Sequence, residues 1–181
     1  LTTKAELDGL KAEYKVARPY DSPVYAGWDV AKEEDESVVT VIGWDEEVKK
    51  FRILEWLAMQ GDDYTDQVEL VKKPLEKYKH VVKVCIDATG VGDPVVDNFK
   101  KQTRLSTEPV KFSLQNKDTL YKNLIKILRD GDLQYPANHK YTPKFELQML
   151  EMIKEYKGEF LSCHHPDKAG AHDDFPDSLA L

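Results

Sequence analysis

Two adjacent aspartates, Asp173 and Asp174, stand in "AHDDFPDSLAL" just before an apolar run, with His172 ahead of them. One acid there suits a helix N-terminus, where it faces the positive end of the dipole and can accept bonds from unpaired N–H groups. A second carboxylate beside it repels the first and needs another role. Two more acids interrupt apolar runs: Asp29 in "VYAGWDVA" and Asp87 in "VVKVCIDATGVGD". A carboxylate so placed is costly unless it is solvated, hydrogen-bonded or bound to a cation. Carboxylates gathered without histidine or thiol partners favour hard cations, Mg²⁺ or Mn²⁺. Two such ions can activate a water and stabilise the leaving oxygen in phosphodiester hydrolysis. Asp177, four residues after Asp173, reads as an acid of the first helical turn facing the dipole.

The elements around these acids must bring them together. "TTKAELDGLKAEYK" has Leu7, Leu10 and Tyr14 at helical spacing after a Thr cap, and "RPYDSP" ends it, so residues 1–20 read as a lead-in helix and linker and the main domain as 21–181. "PVYAGWDVA", "ESVVTVIGWD" and "EVKKFRILEWLA" are strand-like runs with short polar gaps, which predicts an antiparallel meander. "DDYTDQVELVKKPLEKYK" carries Tyr64, Val68, Val71 and Leu75 on one helical face, with a kink expected at Pro74. "HVVKVCIDATG" has the mostly apolar pattern of a buried parallel strand. Then come a helix at "DPVVDNFKKQ", a strand at "EPVKFSL" and a strong amphipathic helix at "KDTLYKNLIKILRDG". A Thr142-capped helix over "TPKFELQMLEMIKEY", a short strand at "EFLSCHH" and a final helix from "DDFPDSLAL" complete the chain. The fold class is therefore α/β: a mixed sheet of three antiparallel strands followed by parallel ones, with helices on both faces.

Ligand sites in open α/β sheets lie at strand C-terminal ends. Asp87 ends the fourth strand. If that strand pairs in parallel beside the first, Asp29 and Asp87 become neighbours, and the start of the last helix can deliver Asp173 and Asp174 to the same place.

"GWDVAKEEDESVVTV", "IDATGVGDPVVDNF" and "HDDFPDSLAL", in this order and spacing, resemble three motifs of the nuclease domain of viral large terminases, the DNA-packaging motors of tailed bacteriophages. The resemblance covers residues 21–181. It implies a ribonuclease H-like fold and a metal-dependent endonuclease that cleaves double-stranded viral DNA during packaging. By motif, Asp29, Asp87, Asp173 and Asp174 would bind two Mg²⁺ or Mn²⁺ ions, and Asp35 matches an accessory acidic position. Implied partners are double-stranded DNA and, in a full-length protein, an N-terminal ATPase domain, the portal and the small terminase subunit, all in the host cell cytoplasm. The phosphate-binding loop of the family's ATPase is missing from this sequence, and Ser178 stands where the pattern often has alanine.

At 181 residues, 41% hydrophobic and 33% charged, the chain has the composition of one globular domain. It begins at Leu1 rather than Met and stops inside an apolar pattern, as an excised piece of a larger protein would. No apolar run approaches the roughly 20 residues of a membrane span and no secretory signal is present, so no membrane partner is expected. Cys85 and Cys163 give no disulfide framework, which fits a reducing cytoplasm. The net charge of -7 opposes non-specific nucleic-acid binding, although a metal-gathering site is itself acidic.

Other readings compete. Cys163, His164, His165 and His172 suggest zinc, but adjacent histidines on a strand point to opposite faces and the spacing matches no structural zinc site. "TGVGD" could cradle a phosphate, as in an actin-like ATPase, which needs two such domains. A Holliday-junction resolvase or integrase relative would share the acidic core, whereas a non-catalytic module docking on portal or motor would gain little from converging carboxylates. Lys122, Lys126 and Arg129 form one face of the amphipathic helix and Leu120, Leu124 and Ile127 another; the basic face is either solvated or set against DNA phosphates. The same choice applies to Lys49, Lys50, Lys100, Lys101 and Arg104. His172 is a candidate to orient a carboxylate or a phosphate.

Overall fold

The computed structural model describes residues 1–31, 36–90 and 93–181. The first helix, α1 (Lys4–Leu10), opens with a capping box in which Thr3 and Glu6 bond each other's backbone. It leads into a two-residue strand, β1 (Lys11–Ala12). The meander follows as β2 (Val24–Asp29), β3 (Glu36–Asp45) and β4 (Lys50–Gln60), paired antiparallel as expected. Next come α2 (Tyr64–Leu75), β5 (Val81–Asp87), α3 (Asp93–Thr103) and β6 (Thr107–Val110). Helix α4 (Leu114–Asp130), capped by Ser113 and closed by Gly131 at φ 73°, precedes β7 (Leu133–Pro136). The chain ends with α5 (Thr142–Glu151), β8 (Ile153–Lys157), β9 (Phe160–His164) and α6 (Asp174–Ala180).

Among the described residues, seven strands form one sheet in the order β1-β7-β4-β3-β2-β5-β6, with the β2–β5, β5–β6, β4–β7 and β1–β7 pairs parallel. This is the expected mixed sheet, widened at one edge by β1 and β7. The lead-in helix packs on the same body: Leu7 and Leu10 are buried in a core shared with α4 and β7.

Helices cover both faces. Val68, Val71 and Leu75 of α2 and Val95, Val96 and Phe99 of α3 pack against Trp28, Val84 and Ile86 on one side. On the other side Tyr121, Leu124 and Leu128 of α4, Phe145 and Met149 of α5, and Phe175 of α6 pack against Val38, Ile53 and Trp56. The buried stripe of α4 is thus rotated from the expected Leu120, Leu124 and Ile127. Leu120 and Ile127 instead border an apolar groove beside α6. Pro74 falls in the last turn of α2, which ends at the next residue.

The helix expected over "TPKFELQMLEMIKEY" stops at Glu151. Residues Ile153–Lys157 turn into β8, which forms an antiparallel hairpin with β9 apart from the main sheet. Gly158, at φ 66°, makes the turn that a helix would not tolerate.

Candidate active site

Asp29 and Asp87 end neighbouring parallel strands. The β2–β5 ladder pairs Gly27 with Cys85 and Trp28 with Ile86, so the next position on each strand is an aspartate. The two-residue period of a strand sets their direction. Trp28 points into the α2/α3 core, where its ring meets Phe99 at 5.7 Å. Gly27 and Asp29 therefore face the other side, as do Cys85 and Asp87.

That side is covered by α6, and Gly27 lets it approach. A Cβ at Gly27 would lie 2.1 Å from the carbonyl oxygen of Ser178, a clash with backbone that no rotamer relieves. The Ser178 hydroxyl is also 2.7 Å from that of Thr40 on β3, locking the helix to the meander. Packed flat on the sheet, α6 turns Asp174, Asp177 and Ser178, three and four residues apart, towards β2 and β3. Asp174 is 8% exposed and Asp177 5%.

Neither member of the adjacent pair caps α6. Asp173 occupies the cap position but makes no side-chain capping bond; its carboxylate accepts from the His165 N–H at 3.3 Å. The capping work falls to Gln148 of α5, whose Oε1 accepts from Phe175 N–H at 2.9 Å while its Nε2 lies 3.4 Å from Asp174 Oδ2. Both carboxylates are thereby left available. His172 Nδ1 lies 3.9 Å from Asp174 Oδ2, near it but beyond hydrogen-bond reach.

Asp177 proves more than a dipole residue. It does sit in the first turn, but its Oδ1 accepts from the buried Tyr121 hydroxyl and its Oδ2 from Lys117 Nζ at 2.7 Å. Sequence reading missed both Asp177 and Lys117 as members of this cluster. The signal for Asp177 was its i+3 spacing from Asp174.

The electrostatics are those of crowded like charges. Burial pushes the Asp29 carboxyl well above the usual range, and Asp177, Asp174, Asp87 and Asp173 push it further. Burial also raises Asp87, against hydrogen bonds from Thr89 and the charge of Lys117. Burial lifts Asp174 to about 6, opposed by His172 and reinforced by Asp173. Asp177 is lifted by burial to about 6 despite Lys117. Burial works against the Lys117 ammonium, but Asp177, Asp173 and Asp29 outweigh it and hold the proton on.

The donor set fits a hard cation. It is oxygen only, and no described side chain hydrogen-bonds Asp29, the acid with the most like charges around it. Among the described residues, no three His, Cys, Asp or Glu side chains stand close enough around one point to hold an ion as they are. Carboxylates without a cation between them keep apart, and here Lys117 is the positive charge among them. The Cys163 thiol is buried in β9 and pushed up to about 11 by that burial, so it stays protonated. Asp35 and the central Val91 and Gly92 of "TGVGD" lie outside the described residues.

Topology sorts the basic residues. Strand β5 ends at the carboxylates and β6 begins at the opposite end of the sheet, so α3 carries Lys100, Lys101 and Arg104 away from the acids. Lys49 and Lys50 lie at the β3–β4 turn, also at the far end. Helix α4 begins at the acidic end and runs from Lys117 through Lys122 and Lys126 to Arg129. Lys122 pairs with Asp118 and Lys126 with Asp130 within the helix. Together with Arg129, Lys154 and Tyr156 they line a groove of about 320 Å³ between α4 and the β8–β9 hairpin.

The comparisons agree with this architecture. Residues 26–181 match the family described as the terminase RNaseH-like domain. The chain is 30% identical over 156 residues to the terminase large subunit of Thermus phage G20c, covering 86% of this chain and 30% of that protein. It is 32% identical over 127 residues to the terminase ATPase subunit of Escherichia phage P2, covering 67% of this chain and 21% of that one. The chain therefore spans less than a third of either relative. In three dimensions it is similar to the large terminase nuclease of phage G20c with bound magnesium, with a TM-score of 0.78, 24% identity, and coverage of 97% of this chain and 93% of that one. The phage G20c nuclease has also been crystallised with cobalt and with zinc. The ribonuclease H-like fold is thus shared.

Proposed function

This chain belongs to the terminase RNaseH-like domain family, and on that premise we propose that it is a divalent-metal-dependent endonuclease that cleaves double-stranded viral DNA during genome packaging. The observation that carries this reading is the β2–β5 register, which sets Asp29 beside Asp87 on the face where α6 delivers Asp174. Asp29, Asp87 and Asp174 would hold two Mg²⁺ or Mn²⁺ ions, with Asp173 the less buried fourth acid. Bound there, the ions supply Lewis-acid activation of a water and stabilisation of the leaving oxygen.

The chain's own residues do the positioning. Gly27 seats α6, Gln148 caps it and steadies Asp174, and Thr89 N–H donates to Asp87 Oδ1 at 2.8 Å to fix the strand-end acid. On this reading phosphate contacts fall to Lys122, Lys126 and Arg129 of α4, with Lys154 across the groove. Such contacts position a duplex without reading its sequence. Lys100, Lys101 and Arg104 belong to α3 and its end, on the opposite face of the sheet from that groove.

The rest of the expected assembly is part of the same reading: a motor domain preceding this one in a longer chain, a portal and a small subunit as partners, and action in the host cytoplasm. The test is incubation of the purified chain with supercoiled plasmid. Nicked and linear products with Mn²⁺ or Mg²⁺, and none with EDTA, support the proposal. Cleavage confined to four-way junctions would favour a resolvase instead.

A further inference from the structure

Lys117 is, among the described residues, the lysine that hydrogen-bonds an acid of the cluster. Its Nζ donates to Asp177 Oδ2 at 2.7 Å, and the other oxygen of that carboxylate is taken by Tyr121. Asp177 therefore has no oxygen without a donor. The Lys117 side chain is only 20% exposed, and its ammonium lies 4.7 Å from the Phe112 ring centroid, so it is held between an aromatic face and the acids. Its charge acts on Asp173, Asp29 and Asp87 as well as on its direct partner.

We infer that Lys117 is a positioning residue that serves as a resident cation: it keeps Asp177 out of the metal-ligand set and opposes the binding of divalent ions by Asp29, Asp87 and Asp174. The inference rests on the metal-site reading above. The physical reason is simple repulsion. An ammonium repels a divalent ion held in the same acidic cluster, and an effective dielectric of about 20 still leaves that repulsion above thermal energy. Five carboxylates and one ammonium carry a formal charge of -4, which two divalent ions neutralise. Loss of the ammonium leaves an acid unmatched and the site more attractive to cations.

The test compares Mn²⁺ affinity, by titration calorimetry without DNA, for the wild-type chain, Lys117→Met and Lys117→Arg. Lys117→Met should bind Mn²⁺ about tenfold more tightly and gain more in melting temperature on adding Mn²⁺. Lys117→Arg, which keeps the charge, should match wild type. Equal or weaker Mn²⁺ binding by Lys117→Met would overturn the inference, because a lysine with a purely structural role would leave ion affinity unmoved. If Lys117→Met does not fold, Asp177→Asn is compared with the Asp177→Asn/Lys117→Met double variant, whose neutral pair keeps the shape. The double variant should bind more tightly, and equal affinities would overturn the inference. A wild-type chain that takes up no Mn²⁺ while remaining folded would remove the metal-site reading itself, a result distinct from equal binding by all variants.

Discussion

Gly27 on β2 lies directly beneath the carbonyl of Ser178 on α6, so close that a Cβ would stand 2.1 Å from the oxygen. The glycine two residues before Asp29 is what lets the last helix set its acids against the strand-end acids. Gly27→Ala should lift α6 and cost about 1–3 kcal/mol of stability, as overpacking of a tight interior does. Its plasmid cleavage should fall by more than about tenfold, a larger loss than stability alone explains, because small misplacements at a reacting centre are expensive. A variant that melts as wild type and cuts as fast would show that α6 need not touch the strand.

Stability without metal should depend on pH through the buried acids. Asp29, Asp174 and Asp177 bind protons more tightly folded than unfolded, with Asp174 and Asp177 near 6 against an ordinary 3.8. The folded state therefore takes up protons in that window, and its stability falls as pH rises from about 4 through about 6. For Asp174 and Asp177 the loss is on the order of 1–3 kcal/mol each. Melts in EDTA between pH 4.5 and 7.5 should show it, and Mn²⁺ should reduce the slope. A flat profile in EDTA would mean that neither burial nor neighbouring charge holds protons on these acids.

The three acids at the start of α6 should behave differently. Asp174→Asn should impair cleavage more than Asp173→Asn, since Asp174 is buried and held by Gln148 while Asp173 is half-exposed. An acid that only faced the helix dipole would tolerate Asp177→Asn almost silently. Its bonds to Lys117 and Tyr121 instead predict that the substitution, which removes the charge paired with Lys117, lowers the melting temperature. Cleavage rates and melts of the three variants separate the roles.

Phosphate contact along α4 predicts a salt effect. Lys122 and Lys126 are already paired with acids of their own helix, so Arg129 and Lys154 should carry most of the attraction. Reversing both charges, Arg129→Glu with Lys154→Glu, should raise the DNA concentration needed for cleavage and lower the salt slope by about 2. Unchanged salt dependence would make this a solvated face.

The approach of Asp29 to Asp87 is legible in the sequence. Asp29 and Asp87 stood out because apolar strands tolerate such acids only for a reason, and the strand-end rule joined them. Asp177 was overlooked because one bland role, facing the dipole, was sufficient; its i+3 spacing from Asp174 was the better guide. Lys117 opens α4 without a local sign of its role, because its approach to the acids depends on how α4 crosses α6. The strand-end rule applied to lysines as well as acids would have favoured it over Lys100, Lys101 and Arg104. Hairpin β8–β9 was hidden by the helix-forming composition of "LEMIKEY", with Gly158 as the one local sign of a turn.

The central claim is that Asp29 and Asp87, brought together by strand register, are the core of a metal-dependent nuclease site. The most direct measurement is the plasmid cleavage rate of Asp87→Asn in Mn²⁺, alongside its melt in EDTA. The variant should melt no lower than wild type, since it removes one repelling charge, and should cut at less than about a hundredth of the wild-type rate. An Asp87→Asn protein that melts normally and still cuts at the wild-type rate would take Asp87 out of the site, and the convergence of the carboxylates would then have no catalytic meaning.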